Sequence, residues 1–271
     1  MDYVDEFAPL LDRGNPDAIN VHFGAVSAAQ RQLWRVRWDN HYKEVYWRLV
    51  LDGLACGERL HQDVGECVCG PSPSGLPAGR HHHYWDCPVA QSVVEALKQQ
   101  LFGGWCCGAL RPYHVLLMER PRGVSTACTL HKGVWQVVCL AAINAMDLGR
   151  RAACQLGVQQ KKQWGQLRIT DIFQPAPLTP TQQQHQQQVR QRQQLLMQQQ
   201  QQQQQEAAAA QLAEVQQQAV CYFWELLEDF VALEAAPQSW FPQVSPSHPF
   251  LCVSGGSTLS VHRVVAAPAV D

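Results

Sequence analysis

The chain has 271 residues, a hydrophobic fraction of 46% and nine tryptophans, enough apolar material for one large or two small folded domains. Its formal net charge is −2 and only 16% of its residues are charged, so the global balance excludes a strongly basic nucleic-acid binder. The charge is uneven, however. Residues 105–165 are rich in Lys and Arg, whereas residues 206–236 carry six acidic and no basic side chains. Two interpretations follow: attraction between these segments within the molecule, or a nucleic-acid patch on the basic one.

Cysteine usage indicates a reducing compartment. The eleven cysteines are an odd number, and outside residues 66–87 their spacing shows no disulfide framework. The N-terminal sequence MDYVDEFAPLLDRG lacks the basic-then-apolar order of a signal peptide. The most apolar run, Val134 to Met146, is about thirteen residues long, whereas a bilayer span needs roughly 20. We therefore predict an intracellular protein, in the nucleus or cytoplasm, with no membrane partner.

Helical periodicity begins after a loosely ordered lead-in, residues 1–26. Ser27 can cap a first helix, and Asp39 or Asn40 restarts the pattern. Apolar side chains from Tyr42 onward then recur at i, i+3, i+4, i+7 and i+8, which predicts one buried helical face.

Three further helices are predicted before the glutamine-rich region. Pro88 suits the first turn of a helix that ends at the glycines 103–104. A short helix is expected at 111–119. The longest globular helix is expected at 133–156, after which the prolines of residues 157–181 exclude a continuous helix.

A glutamine tract at residues 182–205 precedes a run of strong helix formers and an acidic amphipathic segment. We predict one long helix from about 181 to 235, frayed in the glutamines and docked only through its C-terminal third. As a spacer the tract needs no partner; alternatively, it associates with protein partners. Beyond it, two β-type runs flank Gly255-Gly256 and predict a hairpin.

Residues 66–87, ECVCGPSPSGLPAGRHHHYWDC, contain the layout of a small closed zinc site. Zinc prefers four thiolate and imidazole ligands in a tetrahedron. The best set by spacing is Cys67, Cys69, His82 and Cys87. His81 or His83 could substitute for His82, because the three histidines are consecutive.

The order of motifs around this site resembles the zinc-binding domain that follows the reverse transcriptase in non-LTR retrotransposon polyproteins. Trp47, Arg48 and Leu49 match its Trp-Arg-Leu signature, and the Cys67–Gly70 segment matches its cysteine pair ending in Gly. The His82–Cys87 segment matches its His-x4-Cys element with aromatics between. The similarity covers about residues 30–102. The cysteine pair is one residue shorter than in the family, which leaves open a strained site, a site that recruits Cys56 or His61, or a decayed site.

Four protein ligands leave no open position for water, so a bound Zn²⁺ would be structural rather than catalytic. The resemblance implies a retroelement origin. The sequence has no paired-aspartate polymerase motif, no phosphate-binding loop and no nucleophile elbow. We therefore predict a protein that is not an enzyme. RNA or DNA is the candidate partner, with a set of basic residues that could line its path: Arg111, Arg120, Arg122, Arg150 and Arg151.

The predicted fold class is mainly α. A small helical domain around the Cys-Cys-His-Cys zinc knuckle is followed by further helices, a long Gln-rich helix and the C-terminal β-hairpin. The expected segments are a lead-in (1–26), the knuckle domain (27–104), a helical extension (105–160), a linker with the Gln-rich segment (161–205), the acidic helix (206–236) and a tail (237–271). The alternative function is a protein-interaction scaffold that works through the Gln-rich and amphipathic helix, with a structural or decayed knuckle.

Overall fold

The computed structural model describes residues 27, 30, 31, 33–36, 38–50, 67, 69, 82–102, 110, 112–118, 132–166, 180–234, 251–254 and 258–261. Most of these residues are helical, so the protein is mainly α, as predicted. The helices, numbered in chain order, are α1 (Asn40–Val50), α2 (Pro88–Phe102), α3 (Pro112–Leu116), α4 (Lys132–Gln166) and α5 (Pro180–Glu234).

Helix α1 begins where the sequence predicted. The side chain of Asp39 accepts a hydrogen bond from the backbone N–H of His41 at 3.1 Å, which satisfies one of the free donors of the first turn. Tyr46 and Leu49 are buried on its apolar face. The exposed side is stabilised by an i, i+4 ion pair between Glu44 and Arg48.

Helix α4 lies at the centre of the core. Its side chains from Val134 to Met146 are buried, and it packs against α1, α2, α3 and α5. The helix is 35 residues long and continues to Gln166, ten residues beyond the predicted end at 156. A glycine inside a helix lowers its stability by only about 1 kcal/mol relative to alanine. Gly157 therefore does not end the helix, because its neighbours include the good helix formers Gln, Lys and Arg.

Helix α5 is one continuous helix of 55 residues, close to the predicted 181–235. Its described side chains in the glutamine tract, between 191 and 206, are exposed. Burial begins at Val215 and continues along one stripe through Ala219 and Phe223 to Phe230. Among the side chains of this helix that the structure describes, the buried ones therefore begin at Val215, in its C-terminal part.

One buried cluster joins α1, α2, α4 and α5. Asn144 of α4 donates one hydrogen bond to the carbonyl of Tyr42 in α1, at 2.9 Å, and another to its own turn at Leu140. Where α2, α4 and α5 meet, Gly149 allows a close approach, because a Cβ at this position would overlap Val89 and crowd Ala219. The three helices therefore touch through small side chains.

The C-terminal strands β1 (Leu251–Ser254) and β2 (Thr258–Val261) pair antiparallel, with Leu251 opposite Val261. Strand β2 lies beside α5. The turn predicted at Gly255-Gly256 is outside the described residues. Among the helices that the structure describes, none is both long and apolar enough to cross a membrane.

Candidate metal centre

Four side chains converge near the N-terminus of α2. The ligand atoms of Cys67, Cys69, His82 and Cys87 all lie within 4.8 Å of one another. Cys67 Sγ is 3.4 Å from Cys87 Sγ, and Cys69 Sγ is 3.2 Å from His82 Nε2. The group could hold a metal ion, and it is the set that the sequence favoured.

The distances are close to those of a zinc tetrahedron. Zn–S and Zn–N bonds of about 2.3 and 2.1 Å imply S···S and S···N edges of about 3.8 and 3.6 Å. The Cys67–Cys87 and Cys69–His82 distances are a few tenths of an ångström below these values, and no two ligand atoms are more than 4.8 Å apart. Small side-chain adjustments would bring all four atoms to one cation.

The histidine is presented by a π-helical turn, His82–Asp86. The backbone N–H of Cys87 donates to the carbonyl of His82, an i→i+5 hydrogen bond of 2.6 Å. Such a turn is wider than an α-helical one and is frequent at functional sites. Here it allows His82 and Cys87, five positions apart, to face the same point.

Cys87 then caps α2. Its carbonyl accepts the first bond of the helix, from the N–H of Gln91 at 2.9 Å. The pKa of Cys87 lies well below its ordinary value, mainly because of the hydrogen bond with the Cys67 thiol. The backbone N–H of Val89 acts in the same direction. A helix N-terminus also favours a thiolate. Cys87 is therefore the cysteine best placed to ionise.

Two of the other ligands, Cys67 and His82, have raised pKa values. A hydrogen bond to Cys69, followed in size by one to Cys87, raises the pKa of Cys67. The hydrogen bond to Cys69 also raises the pKa of His82 to about 10. An arriving cation would displace these protons, because metals bind thiolates and neutral imidazole.

Among the alternative ligands, His83 is buried and its ring lies 5.2 Å from that of His82, but it is not one of the four converging residues. His81, Cys56 and His61 lie outside the described residues. The shortened Cys67–Cys69 pair nevertheless delivers both of its sulfur atoms to the cluster.

A buried polar network that the sequence analysis missed joins this centre to α4. The hydroxyl of Tyr84, within the π-helical turn, donates to Asp147 Oδ1 at 2.8 Å. Arg150 reaches the same oxygen at 2.8 Å, and Arg151 lies 3.1 Å from Oδ2. The only signal in the sequence was the i+3 and i+4 spacing of two arginines after an aspartate.

The predicted nucleic-acid set is changed by this network. Arg150 is buried and ion-paired, and it lies in the middle of α4 rather than near its end, so it is removed from the set. Arg151 is mostly exposed, although Asp147 binds it. Arg111, Arg120 and Arg122 lie outside the described residues.

Comparison with known proteins gives no match: no family model fits the chain, and neither a curated protein nor a solved structure is significantly similar to it.

Proposed function

We propose that the protein is a non-catalytic zinc-binding module, related to the zinc-binding domain of retroelement reverse transcriptases, that contacts nucleic acid. The observation that carries the metal clause is the convergence of Cys67, Cys69, His82 and Cys87 within 4.8 Å. The similarity of residues 30–102 to that domain, motif by motif, supports the proposed origin. The knuckle would anchor α2 to the chain that precedes it.

Zinc is the metal that best suits these donors. Three sulfur atoms and one imidazole nitrogen are soft to borderline ligands, which select Zn²⁺ over Mg²⁺ or Ca²⁺. Four protein ligands fill a tetrahedron and leave no position for a reactive water. Cys67, His82 and Cys87 are moreover buried, so the ion would be shielded from substrates. A structural role follows from both points.

Metal content tests this proposal directly. The full chain, purified under reducing conditions, is analysed for bound metals by mass spectrometry, together with Cys87→Ser and the control Cys139→Ser. Cys139 is buried in α4 and outside the cluster. We expect about one zinc per chain in the parent and the control, and a loss in Cys87→Ser. Less than about 0.2 zinc per chain in the parent, unchanged by Cys87→Ser, would contradict the proposal.

A second candidate is a protein-interaction scaffold based on α5. Leu195, Leu196 and Met197 interrupt the glutamine tract and are 58, 63 and 56% exposed. Large apolar side chains that stay exposed on a helix are candidate sites of association. Sedimentation of the full chain against a variant with all three residues changed to Gln tests this candidate. Equal sedimentation of the two proteins at every concentration would argue that these residues do not drive self-association, and the variant leaves the docked residues 215–231 intact.

A further inference from the structure

An exposed aromatic pair lies on the outer side of α1, in a part of the chain that the metal proposal does not use. Trp34 is 53% exposed and Trp47 is 38% exposed. Their ring centroids are 6.3 Å apart and the rings are tilted by 60°. Two large aromatic side chains that are exposed next to each other form a candidate binding surface.

Basic side chains surround this pair. A backbone bond from Trp34 N–H to the carbonyl of Gln30, at 3.2 Å, forms a helical turn that places Arg31 on the same side as Trp34. Lys43 lies over the Trp34 ring, with Nζ 5.7 Å from its centroid. Lys43 itself is buried, and its ammonium also bonds to Asn40. We call the exposed residues Arg31, Trp34, Arg35 and Trp47 the tryptophan platform.

Two acidic groups near the platform are already engaged. Glu44 is bound by Arg48, and Asp39 accepts the N–H of His41. Residues 27–50 contain five basic side chains against these two acidic ones. Burial raises the pKa of Tyr42 in α1, and the charge of Asp229 in α5 acts in the same direction, so Asp229 is a third acidic group near α1. Five basic against three acidic side chains still leave this region positive, although the whole chain carries −2.

From this arrangement we infer that the tryptophan platform binds single-stranded nucleic acid. Unpaired bases stack on Trp34 and Trp47, while the exposed guanidinium groups of Arg31 and Arg35 hold the phosphates. A duplex keeps its bases stacked and offers no free base face to these rings. The inference deepens the nucleic-acid clause of the proposed function, and it gives that clause a location other than the arginines predicted from the sequence. It does not depend on the metal.

A proline-rich peptide is the strongest competing ligand, because aromatic grooves also dock such segments. The charge decides between them. A proline-rich segment has no obligatory negative charge, whereas a nucleic acid supplies one phosphate per nucleotide to the two exposed arginines. Arg31 and Arg35 also have no recorded ion pair among the residues that the structure describes, which leaves them available to an anion.

The test uses the full chain and two fluorescein-labelled 12-mers, oligo(dT) and oligo(rU), in anisotropy titrations at several salt concentrations. Both oligonucleotides have unpaired bases and phosphates. The one that binds with the higher affinity tells whether the platform prefers DNA or RNA. Trp34→Ala and Trp47→Ala should each weaken binding about tenfold, since one stacked base is lost. Trp34→Phe should retain most of the affinity. Arg31→Gln should lower the salt slope by about 0.7.

The matched control is Arg192→Gln, which removes an exposed arginine from the glutamine tract and should leave the affinity unchanged. Thermal unfolding followed by circular dichroism checks that each variant folds. Affinity that is equal in the parent and in Trp34→Ala or Trp47→Ala would overturn the inference. So would binding of a proline-rich 12-mer in place of both oligonucleotides. Zinc content measured on the same samples keeps a failure of this inference separate from a failure of the metal proposal.

Discussion

The hydroxyl of Tyr84 and the carboxylate of Asp147 are joined by a buried hydrogen bond of 2.8 Å across 63 positions of sequence. It is the direct polar link between the turn that presents His82 and the central helix α4. Burial, followed by the charge of Asp147, raises the pKa of Tyr84, so the phenol stays protonated and remains a donor.

Changing Tyr84 to Phe removes this donor and leaves the ring in place. We expect a loss of about 2 kcal/mol in the free energy of unfolding, because the bond ends on a charged acceptor. Urea denaturation measures the loss, with Tyr222→Phe, a half-buried tyrosine of α5, as the control. A loss no larger than that of the control would show that the link does not stabilise the fold.

Asp147→Asn should have a larger effect. The guanidinium of Arg150 is buried and would lose the carboxylate that lies 2.8 Å away. Removing one partner of a buried ion pair costs about 3–5 kcal/mol. The matched change Asp229→Asn, at an exposed position of α5, should alter stability by less than about 0.5 kcal/mol. Similar midpoints of chemical unfolding for the two variants would argue against the network.

Gly149→Ala tests the close approach of three helices. The new methyl group would overlap Val89 and crowd Ala219, so we expect a loss of about 1–3 kcal/mol, although alanine is the better helix former. The double variant Gly149→Ala, Val89→Ala should recover part of this loss, because the second change removes the overlapping atoms. Strict additivity of the two single effects in denaturant unfolding would contradict the packing described for this site.

The cap of α1 predicts a dependence on pH. The N–H of His41 holds the pKa of Asp39 below its ordinary value of 3.8. A carboxyl whose pKa is lower in the folded than in the unfolded state stabilises the fold above that unfolded value, and the contribution is lost as the pH falls through the folded pKa. Between pH 5 and pH 2 the parent should therefore lose more stability than Asp39→Asn, whose amide still caps the helix. Parallel acid-unfolding curves for the two proteins would contradict this.

The helices could be predicted from the sequence because the patterns that indicate them are local. The spacing from Tyr42 to Val50 predicted the buried face of α1, and strong helix formers predicted the length of α5. The end of α4 could not be predicted, because Gly157 is a weak helix breaker and no capping motif marks Gln166. The long-range bonds were also out of reach. Nothing near Asn144 indicates that it binds the carbonyl of Tyr42, 102 positions away.

For the metal cluster, ligand types and spacing were sufficient to name its four members. They were insufficient to tell whether a pair separated by one residue could direct both sulfur atoms to one point. That outcome depends on the backbone path at Cys67 and Cys69, which no periodicity describes. The contact between Tyr84 and Asp147 was missed for a similar reason: nothing in the sequence near either residue indicates a partner 63 positions away.

The π-helical turn has a consequence for how this segment tolerates insertions and deletions. The ligand is set by its place five positions before Cys87, and three consecutive histidines precede that cysteine. If one residue between His83 and Cys87 were deleted, His81 would occupy the fifth position, and an inserted residue would bring His83 there. A change of one residue in the length of the turn would therefore still offer an imidazole at the required place.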